Sequence, residues 1–514
     1  MAKSSADSLG KAKKVLDRDT EFFPKLIGVE DGGKSDYAKG TGIYHPRNRE
    51  VLERLQKHAM KKTLVLIQNG EYSITCDPAK PAIGLTCHDY AGNRLMDFNA
   101  HVGVKVLGYN HPSVTAMQKQ IARIVDENGG ILSIGAGTDF PIVSDELPDA
   151  IDLNELLVDT AKKSGFKKIA KAGGWSTGTE AVENCMKVAY DWKKRKLFQK
   201  WGKNAEKYWK TLEEKLGYPL FGIAADKCFH GRTGYSLSMT HSKPTQYAYF
   251  PKISGIKHIN YISKDSKEDF NIYDLVDIEP KWDSMRKLNR VLDNGKIPID
   301  LLAFICLEPV QGEGGYVIPK KDFIKGMVEF CQKNDVVYID DEVQAGMGRT
   351  GKFFALNHFV DSAYNVVMSM AKGLQVSAVL IEKGMDYEQQ GRASTTTGYG
   401  RVEDIARGYA KLQAILENDG ALMKNATNMG EYFKEEVNKI NNGLITRVDG
   451  LGLMLVTDFE TPEIRNKVYL SLLERGVVPL TVGTKGIRWL PPLDVRKQEL
   501  DYGLNTLEKV LKTF

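Results

Sequence analysis

The sequence predicts an α/β protein whose larger part is a parallel sheet covered by helices on both faces, joined to a smaller α+β domain. Three observations lead there. From about Gly173 to Glu382, short apolar runs alternate with longer helix-patterned segments. The runs "LLAFICL", "VVYID" and "YNVVMSM" lack the alternating polarity of a strand with one wet face, so both faces are buried. The C-terminal part instead alternates helix and strand in shorter units, through "IRWLPPLDV" to a terminal helix.

Taken in order, residues 1–75 are polar and helix-leaning, with turn signals at "EDGGKS" and "KGTG". "PAIGLTCHDYAGNRLMDFNAHVGV" reads as two short strands around the turn "YAGN". Thr177-Gly178-Thr179-Glu180 fits the capping box S/T-x-x-E, which starts a helix near Gly178. "KKDFIKGMVEFCQKND" is a helix with one apolar face. The expected organisation is an N-terminal segment (1–105) contributing to the small domain, a large domain (106–395) and a C-terminal small α+β domain (396–514).

Composition narrows the function classes. With 514 residues, 42% apolar and 27% charged, the chain reads as an ordinary globular protein large enough for two or three domains. A net charge of +5 gives little reason to expect a polyanionic partner. No apolar stretch is long enough for a membrane span. The first nineteen residues lack the apolar core of a signal peptide and carry three Asp, so the expected location is the cytoplasm. Six cysteines form no CxxC pair, and Cys306, inside "LLAFICLEP", reads as a small buried hydrophobe. "WKKRKLFQKWGKNAEKYWKTLEEK" mixes lysines with Trp and Tyr as a nucleic-acid-binding helix would. Its acidic residues and helical spacing favour a solvated amphipathic helix instead, and no nucleic-acid partner is expected.

The chemistry-bearing residues sit where open α/β sheets place their sites, at the carboxyl ends of strands. Glu308, Asp341 and Lys372 each follow an apolar run. A lysine in such a run needs a reason, because burying an unpaired ammonium costs several kcal/mol (order of magnitude) or forces its pKa down. The helix start at Gly178 offers free N–H groups and a positive dipole end to an anion, although by itself it is equally a well-capped helix. Asp341-Glu342 could suggest a metal, but no histidine accompanies them at ligand spacing, so no metal is expected. "GMGRTGKFF" lacks the spacing of a phosphate loop. A strand-end lysine, a strand-end aspartate and a helix-start anion site on one sheet together suit pyridoxal phosphate. Its aldehyde takes a lysine, its pyridine nitrogen an anion, and its phosphate an anion site.

Seven motifs then occur in family order: "DYAGNRLMDFNAHVGVKVLGYNHP", "STGTEAVENCMKVA", "FHGRTGYSLSMT", "EPVQGEGG", "DDEVQAGMGRTGKFFA", "MAKG" and "IRWLPPL". Over roughly Cys87 to Leu493 the sequence resembles the class III pyridoxal-phosphate aminotransferases, which act on ornithine, acetylornithine, 4-aminobutyrate and lysine. The resemblance implies fold type I, with a mostly parallel seven-stranded sheet, and a homodimer. It implies that Gly178 and Thr179 contact the phosphate, that Phe229 stacks on the cofactor ring with His230 beside it, and that Asp341 pairs with the pyridine nitrogen. Val343 would pack on the opposite ring face, Gln344 would reach the phenolic oxygen, and Lys372 would form the Schiff base. Thr397, or Thr396 in the alternative register, would reach the phosphate of the neighbouring subunit. Arg232 resembles the arginine that holds a distant carboxylate. Glu313 and Arg488 resemble a switch pair, in which Glu313 masks Arg488 while the amine donor is bound. An ordinary ion pair is the other reading.

Two departures bear on the substrate. The loop after Lys372, "GLQVS", is shorter than the family's glycine-rich loop and is similar to that of L-lysine 6-aminotransferases. Residues 196–221 look like an insertion, and Arg401 stands where the family has asparagine. The expected reaction is transfer of the ω-amine of lysine or a similar ω-amino acid to 2-oxoglutarate, giving an aldehyde and glutamate. The alternatives are 4-aminobutyrate or ornithine aminotransfer, or a racemase or aminomutase on the same fold.

Overall fold

Strands buried on both faces organise the larger unit of this computed structural model, which describes residues 45–58, 75–129, 143–175, 177–278, 295–389, 391–394 and 400–514. Two compact units emerge, one from residues up to Gln120 together with Ala414–Phe514, the other from Ile121–Gln413. Both divisions fall later than residues 105 and 395, and each lies inside a helix, Pro112–Asn128 or Val402–Ile440. The second helix breaks at Glu417–Gly420, where Asn418, Asp419 and Gly420 take positive φ.

In the first unit, β1 (Thr86–His88) and β2 (Arg94–Met96) pair antiparallel around the "YAGN" turn. The second unit holds β3 (Ile169–Trp175), β4 (Phe221–Ala225), β5 (Ile256–Ile259), the short parallel pair β6 (Val276–Asp277) and β7 (Ile297–Pro298), β8 (Leu302–Leu307), β9 (Val337–Asp341), β10 (Val366–Met370) and β11 (Ser377–Glu382). Seven of them form one sheet in the order β3-β11-β10-β9-β8-β4-β5, parallel except for β11. Every residue of β8 to β11 is buried, which the unbroken apolar runs require. Because β11 runs against both neighbours, β3 points the same way as the remaining strands. Its carboxyl end therefore opens at the same sheet edge as those of β8, β9 and β10.

The C-terminal part of the first unit adds β12 (Ile445–Leu451), β13 (Met454–Phe459), β14 (Leu480–Val482) and β15 (Gly486–Trp489), an antiparallel sheet in the order β12-β13-β15-β14. Helices Pro462–Glu474 and Lys497–Leu511 accompany it. One expectation is corrected. Trp192–Lys215 is not a single helix: Gly178–Trp201 ends at Gly202, whose φ of 53° suits glycine, and Ala205–Leu216 begins after one tight turn. The aromatic residues turn partly inward, with Trp192 buried and Phe198, Trp201, Tyr208 and Trp209 in edge or tilted ring contacts. Among the described residues no helix is long and apolar enough to cross a membrane.

Candidate active site

Lys372 stands two residues beyond β10, at the start of a tight turn, Lys372–Leu374, that leads straight into antiparallel β11. Its φ of 34° lies in the left-handed region, which side-chain-bearing residues rarely occupy. Gln375 follows at φ 76°, so the short "GLQVS" loop closes through two left-handed residues, with Leu374 and Val376 buried beneath. Strain at a residue of this chemistry points to a constrained functional position.

One strand over, Asp341 is buried and its carboxylate accepts from three donors. His230 Nδ1 donates to Oδ2 at 2.7 Å, while Ser369 Oγ and the Val343 backbone N–H donate to Oδ1, each at 3.1 Å. Ser369 reaches it because β10 and β9 pair with Ser369 opposite Asp341. The His230 ring is held well above its ordinary pKa. Burial opposes the charged form, and the Cys306 and Cys228 sulfurs and the hydrogen bond to Asp341 outweigh it. Cys306 is pushed up to about 11 by its own burial, so it is a neutral thiol at pH 7. A neutral thiol has no charge to offer the ring, which leaves the hydrogen bond to Asp341 as the contact that favours its protonated form.

The capping box forms as expected: Thr177 accepts from the Glu180 N–H, and the Glu180 carboxylate accepts from Thr177. It places the helix start flush against the strand ends. A Cβ on Gly178 would stand 2.9 Å from Val343 Cγ1 and 3.2 Å from Ala371 Cβ, so only glycine fits between them. Gly178 thus touches both the residue before Lys372 and the residue two after Asp341. Thr179 Oγ1 hydrogen-bonds Ser236 Oγ at 2.6 Å and Thr233 Oγ1 at 3.0 Å.

Glu308 completes the edge. It is buried, with its pKa raised to about 7 chiefly by that burial, and it accepts from the Phe229 N–H at 2.9 Å and the Gly312 N–H at 2.8 Å. It thereby fixes the backbone of the two loops that carry Phe229 and Glu313. Gly312 packs so closely that a Cβ would meet Gln344 Oε1 at 2.2 Å. That Gln344 oxygen is buried and has no hydrogen-bond partner among the described residues. Arg232 is exposed, and Glu313 pairs with Lys243 at 3.2 Å. Arg488 belongs to the other unit, buried in β15 opposite Val456 and Leu480. Thr396 and Thr397 lie outside the described residues. "GMGRTGKFF" is core rather than a phosphate loop, with Arg349 and Thr350 both buried.

The model of the aminotransferase class-III family matches residues 67–511. The chain belongs to the class-III aminotransferases. Curated relatives include an acetylornithine aminotransferase of Aquifex aeolicus, 28% identical over 83% of this chain and 95% of its own length. Another is the L-lysine-epsilon aminotransferase of Amycolatopsis lactamdurans, 27% identical over 64% of this chain and 70% of its own. Among solved structures, the lysine aminotransferase from M. tuberculosis superposes with a TM-score of 0.69 at 23% identity, covering 91% of this chain and 99% of that one, a likeness of fold. As a class-III member the chain is a pyridoxal-phosphate-dependent aminotransferase. Its residues suit that cofactor. A carboxylate fixed by three donors lies beside a helix N-terminus that only glycine can line, and the buried Gln344 oxygen still lacks a partner among the described residues.

Sequence reasoning misses Ser369, Lys243 and the two-loop clamp by Glu308. A lone serine in "VVMSM" and a glutamate directly after β8 were the available signals.

Proposed function

We propose that this aminotransferase moves the distal amine of an ω-amino donor to 2-oxoglutarate, with L-lysine the first donor to test and 4-aminobutyrate and ornithine the alternatives. The observation that carries the chemistry is Lys372, in left-handed backbone at the end of β10, one residue from the Ala371–Gly178–Val343 contact and one strand from Asp341. Support for the donor class comes from the relatives. Those named above, together with a 4-aminobutyrate and an ornithine aminotransferase, all bear the names of substrates with an amine distant from a carboxylate.

Bound pyridoxal phosphate supplies an electron-accepting ring for the charge left when a proton leaves the amine-bearing carbon. The residues provide the rest. Lys372 Nζ would hold the cofactor and would be the base that moves the proton at the amine-bearing carbon. Asp341 supplies the fixed anion, oriented by His230 and Ser369. The first N–H groups of the helix at Gly178, with Thr179, bind the phosphate, and Gln344 and Val343 orient the ring with Phe229. Arg232 binds a distant carboxylate, and Glu313 with Arg488 discriminates between the two half-reactions. Thr397 of one subunit serves the other's phosphate, making the homodimer the active unit. The test is a panel of amine donors with 2-oxoglutarate, followed by glutamate formation. If lysine, 4-aminobutyrate and ornithine all give none while an α-amino donor does, the ω-amine reading fails.

A further inference from the structure

Beyond Lys187, two to three turns past the helix start at Gly178, the second unit holds a cavity of about 590 Å³, within the range that small-molecule sites occupy. At about 1.5 Å per residue, Lys187 lies roughly 13 Å along the helix from Gly178, so that end of the space lies away from the edge carrying Lys372, while Tyr235 in its lining adjoins Ser236, the partner of Thr179. One wall comes from the segment 196–221 that the sequence marks as an insertion: Trp209, Tyr218 and Leu220. The proposed transfer chemistry uses none of these residues.

The lining combines flat rings with positive charge. Tyr190 and Tyr218 meet edge to face at 5.1 Å, and Trp209 is held in orientation by donating its indole N–H to Glu213 at 2.7 Å. Tyr235 and Tyr387 complete the aromatic surface. Lys187, Lys194 and Arg392 face the same space, with Asp191 as the one lining carboxylate. Asp191 already serves two guanidinium groups, those of Arg195 and Arg392. Arg392 is also paired with Glu388, whereas neither Lys187 nor Lys194 forms an ion pair among the described residues, so the lining sets two unpaired ammonium groups around one shared carboxylate. Among the described residues the Lys187 ammonium donates to one group, the Ser394 hydroxyl at 3.2 Å. Tyr190 is 92% buried, and its hydroxyl has no hydrogen-bond partner among the described residues. A buried hydroxyl left unmatched is costly unless something accepts from it.

We propose that this cavity is a second binding site, taking a flat aromatic ring that carries a carboxylate or phosphate, with the ring against Trp209 and Tyr218 and the acid group toward Lys187. Rings suit the aromatic wall, and an anion suits a cationic, half-enclosed pocket. A neutral ring would leave the lysines uncompensated, and an aliphatic acid would forgo the stacking surface.

Calorimetric titration of the full-length holoenzyme with four probes tests this. Indole-3-acetate and adenosine monophosphate carry ring and acid, indole lacks the charge, and cyclohexaneacetate lacks the aromatic ring. At least one of the first two should bind with a Kd below about 1 mM and at least tenfold more tightly than the last two. Which of the two binds separates carboxylate from phosphate. Trp209→Ala and Lys187→Met should each weaken that binding at least fivefold, while kcat/KM for amino transfer and the visible absorbance stay unchanged. The proposal is overturned if neither acid binds below 1 mM or if both variants bind as the parent does. Displacement of the probe by the amino donor or 2-oxoglutarate would also overturn it, by placing the probe in the Lys372 site.

Discussion

Replacing His230 by Phe removes one of the three donors to Asp341 and nothing else of comparable polarity. The 2.7 Å contact joins two groups that are both almost fully buried, with side-chain exposures of 0% and 4%. At an effective dielectric near 20, unit charges that close attract by about 6 kcal/mol before the cost of desolvating them. Breaking such a pair by deleting one partner typically costs about 3–5 kcal/mol, because the remaining charge is stranded. Here Ser369 and the Val343 N–H still hold the other carboxylate oxygen, so a loss of about 3 kcal/mol is expected. Urea unfolding of parent and variant at pH 7 measures it, alongside kcat/KM, which should fall about 10–100-fold if Asp341, proposed to face the cofactor ring, loses its orientation. His230→Gln keeps an N–H donor and should recover part of both losses. If His230→Phe unfolds within 0.5 kcal/mol (about the scatter of neutral substitutions) of the parent and turns over normally, the pair does not orient Asp341.

Three further outcomes follow from other parts of the structure. Asp340 and Glu342 are buried against each other, and burial raises both acids, Glu342 to about 7. The folded state therefore holds protons that the unfolded state releases, so this contribution is full below the unfolded carboxyl pKa and is lost as pH rises through about 7. Asp340→Asn should gain stability relative to the parent as pH rises from 5 to 8, read from denaturation midpoints, and a gap that does not change with pH would contradict this. Cys76 is exposed, and hydrogen bonds from Cys87 and His101 bring its pKa down to about 5 despite partial burial. Iodoacetamide should label Cys76 nearly as fast at pH 6 as at pH 8 and His101→Ala should restore a steep pH dependence, whereas a tenfold rise per pH unit in the parent would refute the assignment. Lys243 pairs with Glu313 across a partly exposed gap, so Lys243→Met should change the glutamate half-reaction's KM by only about two- to fivefold and leave the amine-donor half-reaction within twofold. Equal changes in both would make Lys243 merely structural.

Much of this was readable in the chain, for identifiable physical reasons. Strands buried on both faces advertise themselves as unbroken apolar runs, so β8, β9 and β10 and the residues ending them were legible, including Asp341 and Lys372. The capping box at Thr177 was legible because two reciprocal hydrogen bonds demand fixed residue types at fixed spacing. What depended on register or long-range approach was not. That Ser369 faces Asp341 follows from how β10 slides against β9, which no local pattern encodes. The grip of Glu308 on the Phe229 amide spans 79 positions, and Lys243 meets Glu313 across 70. The helix break at Gly202 was masked by aromatic spacing that continues through it. Its consequence, an aromatic wall built from 209–220, appears only once the second helix folds back beside the first.

On the proposed reading, Lys372 carries the chemistry of an ω-amino transfer. Its most direct test is the visible absorption of the purified holoenzyme, followed while lysine and then 2-oxoglutarate are added, in the parent and in Lys372→Ala. The parent's band should be bleached by the donor and restored by the keto acid, with glutamate formed, while the variant should show neither the cycle nor turnover. A Lys372→Ala enzyme that still produced glutamate catalytically would contradict it.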